Sequence, residues 1–211
     1  MKPHTPSAIA LLFLALAALT PGLTGCVPVA AVGVGTGVLV LSDRRPTETY
    51  IADEAIETRA ANRISEKFGE RAHINVASFN RAVLLTGEAP SDAAKGEIER
   101  IAAGVPNVRA ITNEVLIAGP SSFGARSNDA YITSKVKARF IDASKFSVNH
   151  VKVVTEGGTV HLMGIVTQRE SDAAVEIART TGGVQKVVRI FEIVSEAEAM
   201  KLDNRPAAGR S

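Results

Sequence analysis

Apolar residues recur every four positions in two stretches of the chain, a spacing that places their side chains on one face of an α-helix. The first stretch contains Ile56, Ala60, Ile64 and Phe68, and the second contains Ile132, Val136 and Phe140. The second stretch follows the first at an offset of 76 residues. The pattern therefore predicts two amphipathic helices at equivalent places in two copies of one unit.

Two further blocks repeat in the same order behind each helix. The segment AVLLTGE at 82–88 matches TVHLMGI at 159–165, and AAGVPNVRAITNEV at 102–115 matches TGGVQKVVRIFEIV at 181–194. In these blocks apolar residues alternate with other residues, as they do in half-buried strands. Three matched blocks in one order predict a duplicated domain, with residues 118–127, rich in Gly, Pro and Ser, as the linker.

Each copy is predicted to run helix, strand, strand, helix, strand. This order gives an α+β fold in which a three-stranded sheet packs on two helices. The first helix of each copy is expected to begin at Asp53 or Asp129, because acids favour the cap and the first turn. Gly157-Gly158 suits a two-residue hairpin turn, and residues 80–81 (Asn-Arg) stand at the equivalent place in the first copy.

Three positions in the strands carry specific expectations. Alternation along 159–165 places His161 and Met163 on the sheet face away from the core, so His161 is expected to be exposed. Gly87 and Gly164 are interpreted as structural glycines. They either end a strand at positive φ or allow a helix to approach closely.

The N-terminal residues have the layout of a secretory signal peptide. Lys2 is followed by a short apolar run and then by small residues before Cys26, the single cysteine of the chain. The sequence Leu-Thr-Gly-Cys at 23–26 resembles the bacterial lipobox. That resemblance implies removal of residues 1–25 and acylation of Cys26, with palmitate among the chains. Because Val27 rather than Asp follows, it also implies the outer membrane, facing the periplasm. A buried structural thiol or a catalytic thiol is the weaker interpretation, since no core pattern and no nearby base accompany Cys26.

The composition argues against catalysis and against binding of nucleic acid. The net charge is only +2, aromatic residues make up 4% and tryptophan is absent, so neither a broad basic surface nor a stacking platform is indicated. His73, His150 and His161 are scattered, and no nucleophile-elbow or zinc-protease motif occurs. We therefore expect no enzyme activity, no metal site, no cofactor and no nucleic-acid partner.

The order of elements, the V-x-L-x-G of the hairpin and the later G-V-x-x-V resemble the BON domain. Two such domains behind a lipobox resemble the dual-BON-domain outer-membrane lipoproteins of the DolP (YraP) type. The implied organisation is a signal peptide at 1–25, the lipidated cysteine with a flexible tether at 26–47, BON domains at 48–117 and 128–195, the linker at 118–127, and a tail at 196–211. The tail is expected to add one or two helical turns.

The same resemblance implies that the second domain binds phospholipid, chiefly through its first helix. In that helix the segment NDAYITSKVK carries the resemblance. The implied lipid-binding residues are Tyr131, Ile132, Lys135 and Arg139. An aromatic ring with a polar tip beside cations suits an anionic membrane surface, although an ordinary solvated helix face is the alternative.

The two copies also differ in net charge, and the second copy, which carries the implied lipid-binding residues, is the basic one. Residues 43–118 carry 10 Lys/Arg against 12 Asp/Glu, a net −2, whereas residues 124–194 carry 10 against 7, a net +3. The implied partners are anionic phospholipids and, through the acyl chains, the outer membrane, with roles in envelope integrity and division-site localisation. The alternative is a periplasmic scaffold that binds proteins and aids outer-membrane protein assembly, since an acidic and a basic copy suit two different partners.

Overall fold

Two similar sets of helices and strands follow one another along residues 43–205, which are the residues that the computed structural model describes. The first repeat comprises α1 (Thr47–Phe68), β1 (His73–Phe79), β2 (Ala82–Ala89), α2 (Asp92–Ala103), β3 (Ala110–Asn113) and β4 (Leu116–Ile117). The second comprises α3 (Phe123–Ala143), β5 (Val151–Glu156), β6 (Thr159–Val166), α4 (Gln168–Arg179) and β7 (Lys186–Ile193), and α5 (Glu196–Asp203) follows it. The predicted α+β order of helices and strands is confirmed.

Each repeat forms its own sheet around a central strand. In the first sheet β2 pairs antiparallel with β1 and parallel with both β3 and β4, which together occupy the third strand position. In the second sheet β6 pairs antiparallel with β5 and parallel with β7. The helices pack on one face of each sheet and close a separate apolar core in each repeat.

Both hairpins turn through two residues of positive φ, as a tight hairpin of this length requires. The φ angles are 51° at Asn80 and 64° at Arg81, and 55° at Gly157 and 73° at Gly158. The turn position predicted from the sequence is therefore the same in both repeats, although only the second uses glycine.

A buried aspartate on the first helix of each repeat holds the adjacent hairpin turn. The Asp53 carboxylate accepts the backbone N–H groups of the turn at 80–81, at 2.8 and 2.7 Å, and Asp129 accepts those of the turn at 157–158, both at 2.9 Å. The prediction that the helices begin at these aspartates is wrong, since α1 begins at Thr47 and α3 at Phe123. Each carboxylate accepts hydrogen bonds from a hairpin turn distant in sequence rather than capping the start of its own helix.

The sheet faces that point away from the helices cover each other. Side chains of β1, β2 and β6 form a third apolar cluster between the repeats, and strand β7 and helix α5 add residues at its margin. The buried members of this cluster are Ala77, Phe79, Leu84, Met163 and Ile165. The two repeats therefore form one body, back to back.

This arrangement corrects the expectation for His161, which is 2% exposed rather than open to solvent. The alternation along β6 was assigned correctly, but the second face is covered. Both ring nitrogens lack a hydrogen-bond partner among the described residues. Burial lowers the pKa of His161, although the carboxylate of Glu114 opposes this.

Gly87 and Gly164 lie inside β2 and β6, where the start of the paired strand crosses very close. A Cβ on Gly87 would lie 2.0 Å from the His73 carbonyl oxygen, and one on Gly164 would lie 2.3 Å from that of His150. Gly87 also has a φ of 106°. The close neighbour is thus backbone in both repeats: the first residue of β1 for Gly87, and the end of a 3-10 turn (Val148–His150) directly before β5 for Gly164.

Residues 43–46, at the end of the predicted tether, are packed against both repeats. Arg44 is 2% exposed, and its guanidinium binds Glu170 of α4 in a bidentate pair and Asp203 of α5 in another. Arg45 pairs with Asp53 and lies over the Phe79 ring, 4.1 Å from its centroid. Arg44 thus attaches this segment to the second repeat, and Arg45 attaches it to the first.

Candidate functional site

Helix α3 is apolar on two opposite faces. Its inner face contributes Val136 and Phe140 to the core of the second repeat. On the opposite side Phe123, Tyr131 and Ile141 are 80%, 61% and 61% exposed. A surface helix ordinarily keeps one apolar stripe for the core, so a second exposed stripe indicates contact with something outside this chain.

The exposed stripe runs almost the full length of the helix. Ile141 follows Phe123 by 18 residues, about five turns at 3.6 residues each, so both lie on one line about 27 Å long. The positions between them carry small exposed residues, namely Ser127, Ser134 and Ala138. We call this surface, Phe123 to Ile141 with Tyr131 and these small residues, the outer face of α3. Within residues 43–205 no helix is long and apolar enough to span a bilayer.

Cations flank the outer face without carboxylate partners in the described part of the chain. Lys135 Nζ lies 4.6 Å from the Tyr131 ring centroid and donates a hydrogen bond to the carbonyl of Gly182. Arg139 donates to the carbonyl of Ile177 at 2.8 Å and to two threonine hydroxyls beyond it. Because these acceptors are neutral, no ion pair within residues 43–205 neutralises either cation beside the apolar stripe.

Lys137, on the other flank, is exposed and has neither an ion pair nor a hydrogen bond within residues 43–205. Of the two acids on α3, Asp129 is buried against the hairpin turn, and Asp142 is exposed near the C-terminal end. The outer face is therefore bordered by more cations than anions, in agreement with the net charge of this repeat.

The predicted lipid-binding residues fall in three different environments. Tyr131 is exposed, and Lys135 and Arg139 are partly buried with their charged ends near the surface. Ile132 is 1% exposed and belongs to the core, so it cannot reach a lipid surface in this fold. Its inclusion is corrected, because successive residues of an α-helix are rotated by about 100°, which turns Ile132 from the exposed side of Tyr131 toward the inner face with Val136. The predicted lipidation site, Cys26, lies outside the described residues.

Sequence reasoning missed Phe123, Ile141 and Lys137. The helix was expected to begin at Asp129, so Phe123 was assigned to the linker. Its helical start has a local signal, because the Ser122 side chain accepts a hydrogen bond from the Ala125 N–H at 3.2 Å, as an N-cap does. With the start at Phe123, the spacing of the three exposed apolar residues is visible in the sequence.

The equivalent helix of the first repeat does not carry this surface. At the offset of 76 residues, Thr47, Ala55 and Ser65 of α1 stand where α3 has Phe123, Tyr131 and Ile141. Exposed acids also lie along α1, among them Glu54 and Glu66. The outer face of α3 is thus a feature of the second repeat rather than of the shared fold.

A second candidate site lies between the repeats and brings together residue types that bind metals. His73, Glu88 and Glu156 each offer one donor atom, and these atoms lie within 4.8 Å of one another. Burial raises the pKa of Glu156; the hydrogen bond from Asn75 opposes this, and the nearby charge of Glu88 adds to it. The expectation from sequence was that the histidines are too scattered for a metal site.

Comparison with known proteins agrees with this architecture. The family model described as the BON domain matches residues 52–119 and again 128–195. The chain is 34% identical over 172 residues to the outer membrane lipoprotein DolP of Haemophilus influenzae, covering 81% of this chain and 89% of that protein. It is 36% identical over 154 residues to the 21 kDa hemolysin of Actinobacillus pleuropneumoniae, covering 72% and 79%.

A further relative is the osmotically-inducible protein Y of Escherichia coli, which is 29% identical over 155 residues, covering 72% of this chain and 77% of that protein. The matches include both repeats, and the two family matches coincide with the two sheets of the structure. The chain therefore belongs to the BON-domain family and is a dual-BON-domain outer-membrane lipoprotein of the DolP type.

Proposed function

We propose that acyl chains on Cys26 hold this protein at the periplasmic side of the outer membrane and that the outer face of α3 binds anionic phospholipid there. The protein acts by binding rather than by catalysis. Through this contact it supports envelope integrity and takes up its position at the division site.

One observation carries the proposal. The outer face of α3 exposes Phe123, Tyr131 and Ile141, bordered by Lys135, Lys137 and Arg139, whose charges no carboxylate in residues 43–205 neutralises. An exposed apolar stripe flanked by cations is the pattern of a helix that lies in the plane of a membrane interface. In that orientation the apolar side chains enter the headgroup region and the cations face phosphate.

The expected strength is modest. Shallow burial of each apolar side chain contributes about 1 kcal/mol, less than the ~1.5–3 kcal/mol of full burial. Each cation near an anionic surface adds about 1 kcal/mol. Three of each give a gross gain of roughly 6 kcal/mol, equivalent to a Kd of about 40 μM. The cost of lost freedom makes binding of the domain alone weaker than that.

A weak contact is sufficient for a protein that is already attached to the membrane. A tether raises the effective concentration of the domain at the lipid surface, commonly to the millimolar range. The packed segment at 43–46 shortens that tether, because the chain joins the folded body at Arg44 and Arg45. The anchor and the outer face of α3 therefore act together.

The test is vesicle co-sedimentation of residues 43–211, which contain every described helix and strand but lack Cys26. Vesicles of phosphatidylcholine are compared with vesicles that also contain phosphatidylglycerol. Lys137→Glu should weaken binding to the anionic vesicles about 30-fold, since a charge reversal removes two units at about 1 kcal/mol each. Arg59→Glu, the same change at an exposed position of α1, is the matched control and should bind like the parent.

Phe123→Ser combined with Tyr131→Ser tests the apolar stripe without changing charge. This variant should lose binding to both kinds of vesicle. Equal binding of the parent to neutral and anionic vesicles, or equal losses from Lys137→Glu and Arg59→Glu, would show that the outer face of α3 is not the lipid site. Crosslinking in cells that recovers one stoichiometric protein partner without lipid dependence would favour the scaffold function instead.

A further inference from the structure

The cluster of His73, Glu88 and Glu156 lies where the two repeats meet. His73 begins β1 and is the register partner of Glu88 on β2, while Glu156 ends β5 of the other repeat. Both carboxylates are buried, and the imidazole is partly buried. The cluster borders an open pocket of about 340 Å³ that His73, Asn75 and Glu156 help to line.

Hydrogen bonds within residues 43–205 do not satisfy this cluster. His73 Nδ1 is buried 3.3 Å from Glu88 Oε2, but it makes no hydrogen bond. Thr86, on the same face of β2 two residues before Glu88, is also buried with its hydroxyl unpartnered. Buried polar groups are nearly always paired, and buried carboxylates are paired or bind metal. The two carboxylates have no arginine or lysine partner in the described part of the chain.

We propose that His73, Glu88 and Glu156 bind one divalent transition-metal ion, with zinc as the best match. Zinc takes imidazole nitrogen and carboxylate oxygen at about 2.0–2.2 Å, which places tetrahedral donor atoms roughly 3.3–3.6 Å apart. The Nδ1 and Oε2 atoms of His73 and Glu88 already have this separation. All three donor atoms lie within 4.8 Å of one another, so a movement of the Glu156 carboxylate by about 1 Å brings it to the separation that tetrahedral zinc ligands require.

The choice of ion follows from the donors. One nitrogen and two oxygens suit zinc and its neighbours in the first transition row, whereas magnesium and calcium prefer oxygen alone. The fourth position faces the pocket and is open to water. Neighbouring groups orient the carboxylates, because the Ser121 N–H donates to Glu88 Oε2 at 3.1 Å and the Asn75 amide donates to Glu156 Oε2 at 2.6 Å.

The metal would join the two repeats, because two ligands come from the first repeat and one from the second. Its binding energy therefore stabilises the back-to-back arrangement as well as the fold of each repeat. The site uses no residue of the outer face of α3, and it does not depend on the proposed lipid contact.

The test is zinc titration of the untagged full-length protein in detergent after treatment with chelator. Isothermal calorimetry should give one zinc per chain, and zinc at about 100-fold above its Kd should raise Tm by about 5–10 °C. Magnesium at the same concentration should leave Tm unchanged. Bound cobalt should shift the ring signals of His73 in an NMR spectrum, which reports coordination directly.

Glu156→Gln removes a ligand charge but keeps an oxygen for the Asn75 hydrogen bond, so this variant should fold. It should bind zinc at least tenfold more weakly and lose most of the Tm shift, and His73→Ala should do the same. Glu192→Gln is the matched control, since Glu192 also links the repeats through Arg109 but lies outside the cluster. Absence of stoichiometric zinc binding, or binding by Glu156→Gln as tight as that of Glu192→Gln, would overturn the proposal.

Discussion

The buried ion pair at the start of the described chain gives a sharp test of how the membrane-proximal segment is held. The Arg44 guanidinium donates to Glu170 at 2.6 and 3.1 Å, to Asp203 at 2.7 and 3.0 Å and to the carbonyl of Ile165 at 3.0 Å. The perturbation is Arg44→Met, which keeps the apolar length of the side chain and removes all donors. Glu170 then remains buried without a cationic hydrogen-bond donor, keeping the N–H of Thr167 and the His150 ring, whose Nδ1 lies 4.0 Å from Glu170 Oε1.

The expected loss is large because only one member of a buried pair is removed. Such changes cost about 3–5 kcal/mol, whereas the Asp203 part, which is more exposed, adds at most ~1 kcal/mol. For a chain of this size the total lowers Tm by roughly 6–20 °C. Arg169→Met is the matched control. Arg169 is exposed, pairs with exposed Glu196 and donates to the Lys145 carbonyl at 3.4 Å, so this change should lower the free energy of unfolding by less than about 0.5 kcal/mol.

A double-mutant cycle separates the pair from the loss of packing. Glu170→Gln keeps the capping box with Thr167, since an amide oxygen accepts the same N–H. The double variant of Arg44→Met and Glu170→Gln carries no unpaired buried charge, so it should be more stable than Arg44→Met alone by about 2 kcal/mol. Urea unfolding gives these values, with unchanged slopes as the sign that the same transition is compared.

The pH dependence gives an independent check. Burial, the largest single effect, opposes ionisation of Glu170. The hydrogen bonds from Arg44 and Thr167, with the charges of Arg44 and His150, together outweigh it and lower the pKa of Glu170; the hydrogen bond from Arg44 also lowers the pKa of Asp203. A carboxyl group whose pKa is lowered by folding stabilises the fold at any pH above its pKa in the unfolded state. This stabilisation is lost as the pH falls through its pKa in the folded state. The difference between the parent and Arg44→Met should therefore shrink below about pH 4. Arg44→Met as stable as Arg169→Met at pH 7 would refute the reasoning.

Three further changes test the shared framework by thermal unfolding. Gly164→Ala should lower the free energy of unfolding by about 1–3 kcal/mol or more because its Cβ meets the backbone carbonyl of His150. Gly96→Ala, in open space on α2, should raise it by about 0.5–1 kcal/mol, and equal effects would contradict the close approach. His161→Leu should be neutral or stabilising at pH 7.5. Because the pKa of His161 is lowered, the parent should lose stability as pH falls below about 6.5, and this variant should lose less; parallel losses would contradict the buried imidazole. Asp129→Asn should lower the free energy of unfolding by about 1.5–3 kcal/mol, because it weakens a charged hydrogen bond to the hairpin turn. An unchanged free energy of unfolding would mean that the turn is stable without this carboxylate.

The fold was predictable from the sequence because its strongest signals are periodic and occur twice. Ile56 and Ile132 begin equivalent core stripes, and the turns at 80–81 and 157–158 fix equivalent hairpins. The helix starts were not predictable from the aspartates. Asp53 and Asp129 accept hydrogen bonds from turns more than 20 residues away. A rule based on neighbouring residues cannot distinguish such an aspartate from one that caps a helix.

The candidate sites were predictable only in part. A two-residue turn at 80–81 pairs His73 with Glu88, so two members of the metal cluster follow from the hairpin register alone. Glu156 does not follow, because it comes from the other repeat and the back-to-back contact leaves no periodic signal. His161 was missed for the same reason: alternation defines two faces of a strand but not what covers the second.

The two repeats share their framework and differ on their surfaces. Both use a helix aspartate to hold the hairpin, both keep a glycine at the same close crossing of strands, and both bury one sheet face against the other. These features serve the fold, so they need no ligand to explain them. The outer face of α3 has no such role, because removing its exposed apolar side chains uncovers no core. An exposed apolar stripe outside the core is typical of a surface that contacts a partner or a membrane. The lipid contact proposed above covers it with the surface to which the protein is anchored.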